Sequence, residues 1–234
     1  MTSWMPNTLF NIWRKYFGRT SLDDPRPNAS RNPYTFYLPP KDYIDALAEG
    51  DIVKLIFCGF PIGRVYEAER MWVKINERNG SGFKGMLANE PFDMPQLKTG
   101  DSVTFMDYHI IDIDWDDEAL ARRKLTPEES HQIWERCFVD DAVLDGSVKV
   151  EYLYRETPDM TEEGDKYKDS GWRFRGDVRS MTEEQYENGK GSYIALGKVL
   201  NEDDSWITLI DSPVGSAFLK NWETGEFEPT DPTS

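Results

Sequence analysis

The chain has 234 residues, 38% of them hydrophobic, and its 31 aromatic side chains include eight Trp. That content fills packed cores and excludes charged, low-complexity disorder for most of the length. With 43 acidic against 27 basic residues the formal net charge is −16, which disfavours nucleic acid and anionic lipid as partners and favours a basic protein surface. The charge is unevenly spread. Residues 1–111 carry 13 Lys/Arg and 13 Asp/Glu, whereas residues 112–234 carry 14 against 30.

Residues 1–17 place Leu9, Phe10, Trp13, Tyr16 and Phe17 around Arg14 and Lys15. The stretch has no continuous apolar core and no small-residue cleavage site, so it does not read as a secretory signal, and it is too short to span a bilayer. It predicts an amphipathic helix docked on the body or on a partner, with membrane-surface contact as the alternative; two copies of the chain could pair through it. A reduced, cytoplasmic protein is expected, in which Cys58 and Cys137 are buried free thiols and the sequons at Asn28 and Asn79 carry nothing.

Residues 18–33 are polar, carry prolines and read as an arm or linker. A short helix over Asp42–Glu49 ends at Gly50. Strands are expected at Asp51–Phe57, Arg70–Asn76 and Gly82–Asn89, the last two joined by an Asn79-Gly80 turn. Further strands follow at Ser102–Met106 and Tyr108–Ile113. Thr126-Pro127-Glu128-Glu129 has the order of a capping box, and Ile133, Trp134, Cys137 and Phe138 fit one helical face, which predicts a joint helix over 126–138. Strands at Val148–Arg155, Trp172–Phe174, Tyr193–Leu200 and Ser205–Ile210, with a helix at Thr182–Asn188, complete the pattern. The fold class is therefore α+β: two β-rich domains joined by a helical linker. Residues 1–33 form a helix and arm, 34–116 a small β-rich domain, 117–142 the linker and 143–234 an α+β domain.

Motifs for chemistry are sparse. Gly80-Ser81-Gly82-Phe83-Lys84-Gly85 has the letters of a phosphate-binding loop, but it lies between two strands where a helix is required. Asp112, Asp114 and Asp116 open like a calcium loop, yet Asp117 and Arg123 stand where Gly and Glu are needed. His109 and His131 have no ligand-spaced companion. No catalytic residue, metal or cofactor is assigned, and the chain reads as a non-enzyme.

The carboxylate clusters remain. Asp112, Asp114, Asp116, Asp117 and Glu118 surround Trp115. Asp140 and Asp141 follow the joint helix, with Asp145 beyond. Glu162, Glu163 and Asp165 occupy a charged loop, and Glu202, Asp203 and Asp204 abut Trp206. A cluster alone is a solvated turn. Four clusters, two of them beside a Trp, predict a partner-binding surface in which carboxylates steer and aromatic rings anchor, since steering alone fades over about 8 Å at physiological salt.

Asp169-Ser170-Gly171-Trp172-Arg173-Phe174 with Gly176-Asp177, and the later run from Ile207 to Phe218, resemble the two motifs of a bacterial domain family known mostly as immunity proteins of polymorphic-toxin and type VI secretion loci. Val178 departs from that pattern, which usually has an acidic residue there. Glu69–Trp72, Gly85–Pro91 and Leu97–Asp101 resemble a small β-rich bacterial domain of uncertain function. The combination resembles the immunity partner of a type VI nuclease effector. It implies a stoichiometric inhibitor whose acidic half meets the basic surface of a cognate toxin. The alternatives are a small acidic hydrolase with a carboxylate pair, and an adaptor for another basic protein.

Overall fold

The structure, a computed structural model, describes residues 7–127, 131–160, 163–184 and 189–231. Two compact units emerge. The first takes residues 1–30 and 37–130, and the second takes 31–36 and 131–234.

The first unit is built on an antiparallel sheet in the order β1-β2-β3-β4-β5: β1 Arg19–Leu22, β2 Ile52–Phe60, β3 Ala68–Asn79, β4 Gly82–Leu87 and β5 Ser102–Met106. A short β6, Asp112–Ile113, also pairs with β2. Period-two alternation makes these strands: Val53, Leu55 and Phe57 on β2 and Met71, Val73 and Ile75 on β3 all point into one core. The β3–β4 hairpin turns at Asn79-Gly80, where Gly80 takes φ +61, a value that strains residues with a Cβ. Phe83 and Phe105 are cross-strand partners whose rings stack at 5.3 Å. Four helices belong to this unit: α1 Asn7–Phe17, α2 Arg26–Arg31 (which ends at the boundary residue), α3 Lys41–Asp45 and α4 Asp117–Arg123.

The arm expected over 18–33 is structured. Arg19–Leu22 pairs with Phe57–Phe60, and its side chains stay largely in water. Polar residues suit such a strand because backbone pairing holds it. Only part of the strand expected at Tyr108–Ile113 forms, since Asp107–His109 is a 3-10 turn.

The second unit is a mixed sheet in the order β10-β7-β9-β8-β11-β12: β7 Arg136–Asp140, β8 Val150–Arg155, β9 Asp169–Gly176, β10 Gly191–Ala195, β11 Ala217–Lys220 and β12 Phe227–Pro229. Only β7 and β9 run parallel. Helices α5 Asp141–Leu144 and α6 Leu196–Glu202 pack on it. Trp172, Phe174 and Trp206 form the centre of the core, with the Phe174 and Trp206 rings 4.5 Å apart. Residues 31–36 join this unit: Tyr34 donates its backbone N–H to Asn201 Oδ1, and its carbonyl accepts from the Ile133 N–H.

The joint helix expected over 126–138 does not form where it is described; residues 128–130 lie outside the described residues. Cys137 and Val139 are fully buried on alternate positions of β7, which pairs with β9 on one side and β10 on the other. Two ladders of long-range hydrogen bonds outweigh a local capping preference worth about 1 kcal/mol. The expected strand at Tyr193–Leu200 ends at Ala195 and becomes α6, because Leu196, Val199 and Leu200 have helical spacing and are all buried. The expected strand at Ser205–Ile210 is a 3-10 turn, Ile207–Leu209. Of the expected helix over Thr182–Asn188, residues 185–188 lie outside the described residues.

Candidate functional site

In the second unit β7 ends at Asp140, and the chain turns directly into α5. Asp140 does not cap that helix with its side chain. Its carboxylate accepts instead from Arg175 Nη1 at 2.7 Å and from the Gly176 N–H at 3.0 Å, both on the neighbouring β9. Burial works against the charge on Arg175, but the Asp140 carboxylate outweighs it and holds the guanidinium protonated above its ordinary range. Asp141 lies one residue on. Its Oδ1 accepts from Ser192 Oγ at 2.6 Å, and its N–H donates to the Lys190 carbonyl, so β10 sets its position. Asp145 closes the far end of α5, where hydrogen bonds from the Ser147 side chain and backbone hold its carboxyl below the usual carboxylate range.

These three carboxylates and Glu184 line an open cleft of about 630 Å³. Arg175 and Lys190 are its two basic members, and Ala142, Val178 and Met181 supply an apolar floor. Among the described residues, four acids against two bases leave the cleft negative, and one base is already committed to Asp140. Such a concavity suits a basic side chain or a basic loop carrying one apolar residue. Glu202 borders the same region, since a Cβ on Gly146 would sit 3.2 Å from Glu202 Oε2.

The other predicted residues are dispersed. Asp165 pairs with Arg136 at 2.9 Å, at the opposite end of β7 from Asp140, about 13 Å away for four strand steps. Glu163 is exposed nearby and Glu162 lies outside the described residues. Asp203 is buried and accepts from the Val150 N–H and from Ser205; Asp204 accepts from the Tyr34 hydroxyl. In the first unit Asp112 binds Lys54 at 2.5 Å. Asp116 caps α4 by accepting from the Ala119 N–H at 2.7 Å. Asp114, Asp117 and Glu118 are exposed, and Glu118 faces Arg122 at 3.6 Å.

Both aromatic anchors need correction. Trp206 is 0% exposed and sits among Trp172 and Phe174, so it cannot present its ring to a partner. Trp115 packs on the first core, donates Nε1–H to Asp51 at 2.9 Å and lies under the Arg123 guanidinium. An aromatic residue beside acids serves here to hold the turn. Glu184 and Met181, which lie outside those clusters, carry only a weak sequence signal, the run Met181-Thr182-Glu183-Glu184.

The motif residues prove structural. Arg173 is buried and forms a bidentate pair with Asp169, at 2.9 and 2.8 Å, and a third bond to Glu156 at 2.5 Å. Burial pushes the Asp169 carboxyl upward; Arg173 and the backbone N–H groups of Gly171 and Met160 outweigh it and hold the carboxyl down to about 2. Gly171 has φ +80, and a Cβ there would lie 2.1 Å from the Glu156 carbonyl. Trp172 donates Nε1–H to the Ile210 carbonyl, while Arg155 holds the Ser212 carbonyl at 2.7 Å, tying the closing motif to the sheet.

Gly80–Gly85 spans the β3–β4 turn and β4. His109 Nδ1 accepts from the Met106 N–H, and burial lowers its pKa. Cys137 is buried and Cys58 half-buried, and burial raises both thiols. Among the described residues no group of three or more His, Cys, Asp or Glu stands where it could hold a metal ion, and no helix is long and apolar enough to cross a membrane.

Residues 137–231 match the Immunity protein Imm33 domain, and residues 41–120 match DUF2314, described as an uncharacterized protein conserved in bacteria. The chain thus joins an immunity-protein domain to a bacterial domain of unknown function. No curated protein and no solved structure matches it.

Proposed function

We propose that the protein neutralises a cognate bacterial toxin by binding it, and that the acidic cleft at Asp140, Asp141, Asp145 and Glu184 receives a basic element of that toxin. The observation that carries this reading is the position of the cleft inside the span matched by the immunity domain. A nuclease is the toxin class that best supplies the complementary surface, because it needs cationic groups to neutralise phosphates. Carboxylates in the cleft would occupy the place of the nucleic-acid backbone. A type VI secretion effector acting in the cytoplasm fits this role, and inhibition then requires stoichiometric binding without turnover. The exposed Glu163 and Glu202 of the second unit extend the field and raise the association rate.

Co-expression with a candidate cognate toxin, taken from any toxin gene found beside this one, tests the reading. Wild-type protein should restore growth, and Asp145→Lys with Glu184→Lys should abolish rescue while the purified variant keeps its fold by circular dichroism. Undiminished rescue by that folded double variant removes the cleft from the interface.

A further inference from the structure

The first unit holds its N-terminal helix the wrong way round. On a docked surface helix the apolar stripe faces the core. On α1 the buried positions are Phe10 and Arg14, while Leu9, Ile12, Trp13, Tyr16 and Phe17 point into water. Arg14 is the tether. Its fully buried guanidinium donates from Nη1 to Asp93 Oδ1 at 2.8 Å, and Asp93 Oδ2 also accepts the N–H groups of Val65 and Tyr66 at 2.9 and 3.2 Å. Arg64 stacks on the buried Phe10 ring, Tyr66 meets Phe92 edge-on at 5.5 Å, and Phe60 pairs with Arg19, two residues past the end of the helix. Three segments therefore meet at one salt bridge, each with large apolar side chains exposed beside it.

The area involved is large for a monomer. Six aromatic residues, Trp13, Tyr16, Phe17, Phe60, Tyr66 and Phe92, are 41–76% exposed. At ~150–250 Å² for each side chain they leave on the order of 600–900 Å² in water. The largest apolar patch of an ordinary monomer is about 300–600 Å², and a standard protein interface takes about 800 Å² from each partner. Ten of the seventeen large apolar side chains exposed among the described residues fall on these three segments.

The border of the patch selects its occupant. The groove of about 470 Å³ beside α1 is lined by both signs, Lys15 and Lys98 with Glu90, Asp101 and the Arg14-paired Asp93. A basic toxin would want acids alone there, and an anionic bilayer would want bases alone. A mixed border is what a surface needs to pair with its own copy, where each residue i meets a residue j and the reverse. We propose that the protein is a homodimer, joined about a two-fold axis through α1, the 60–66 loop and Phe92.

Sedimentation of the 234-residue chain over a concentration series tests this. The wild type should show a species of twice the 27.1 kDa chain mass. Tyr16→Glu with Phe92→Glu should weaken association at least about a hundredfold, as loss of two central anchors does, with the near-ultraviolet dichroism of the folded unit retained. Should that pair disturb folding, Phe17→Ala serves in its place, with a loss of about tenfold. Glu118→Lys, on α4, should leave the dimer unchanged. A wild type that stays monomeric at every concentration overturns the proposal. So does a dimer that survives the folded patch variants, or a monomer whose patch binds vesicles of phosphatidylcholine and phosphatidylserine.

Discussion

The acidic stretch leading into α4 in the first unit, with five carboxylates over residues 112–118, and the one running through α5 in the second, with three over residues 140–145, put those carboxylates to different uses. Asp116 stands at the N-cap of α4 and spends its carboxylate on the Ala119 N–H, while Asp112 binds Lys54, and Trp115 together with Arg123 grips Asp51. Asp140 stands at the N-cap of α5 and reaches sideways to β9, leaving Asp141, Asp145 and Glu184 to line an open cleft. Counted by unit, the first holds 15 Lys/Arg and 20 Asp/Glu and the second 12 and 23. The excess negative charge is thus concentrated in the second unit, though less completely than a cut at residue 111 implies. A carboxylate count measures available charge. What it is worth to a partner depends on the donors that the fold brings to it first.

Substitutions rank along this contrast. Trp206→Ala removes a fully buried ring and should cost about 3–5 kcal/mol, read as a shifted denaturant midpoint of the second unit; a stability loss below about 1 kcal/mol would return Trp206 to the surface. Arg173→Ala leaves Asp169 buried and unpaired and should cost about 3 kcal/mol or more. The same pair sets an acid limit. Asp169 is held at about 2 against an ordinary 3.8, so the unfolded chain takes up its proton first as pH falls. Its contribution, about 2 kcal/mol, is fully present above the unfolded value and is lost as pH falls through 3.8 towards 2. Asp169→Asn should flatten that part of the stability–pH curve for the second unit, and a curve unchanged by the substitution contradicts the assignment.

Asp116→Ala should cost the first unit about 1 kcal/mol as a lost cap and leave toxin affinity untouched. Glu184→Lys has the smallest expected effect on folding, within about 0.5 kcal/mol, yet should weaken toxin binding with a loss that shrinks as salt is added. If Asp116→Ala weakens binding more than Glu184→Lys does, the two stretches have exchanged roles.

Much of the first sheet is legible in the residues. The alternation Val53, Leu55, Phe57 and the Asn79-Gly80 turn specify β2 and the β3–β4 hairpin, because period-two burial and a left-handed turn residue are local properties. The family motifs around Trp172 and Ile207–Phe218 are equally legible as core and turn builders. The cleft is only partly so: Asp140, Asp141 and Asp145 are adjacent in the chain, whereas Glu184 and Arg175 reach them through β9 and the segment beyond it.

Composition, charge and motif therefore establish an acidic α+β chain carrying an immunity-type domain, since these depend on residue identity and short spacing. Whether residues 136–140 become strand or helix, whether Trp206 is core or anchor, and which side of α1 faces water depend on partners distant in sequence. Two flanking ladders, a pair of neighbouring rings and one buried Arg14–Asp93 bridge decide them, and each is stronger than the local preference that it overrides.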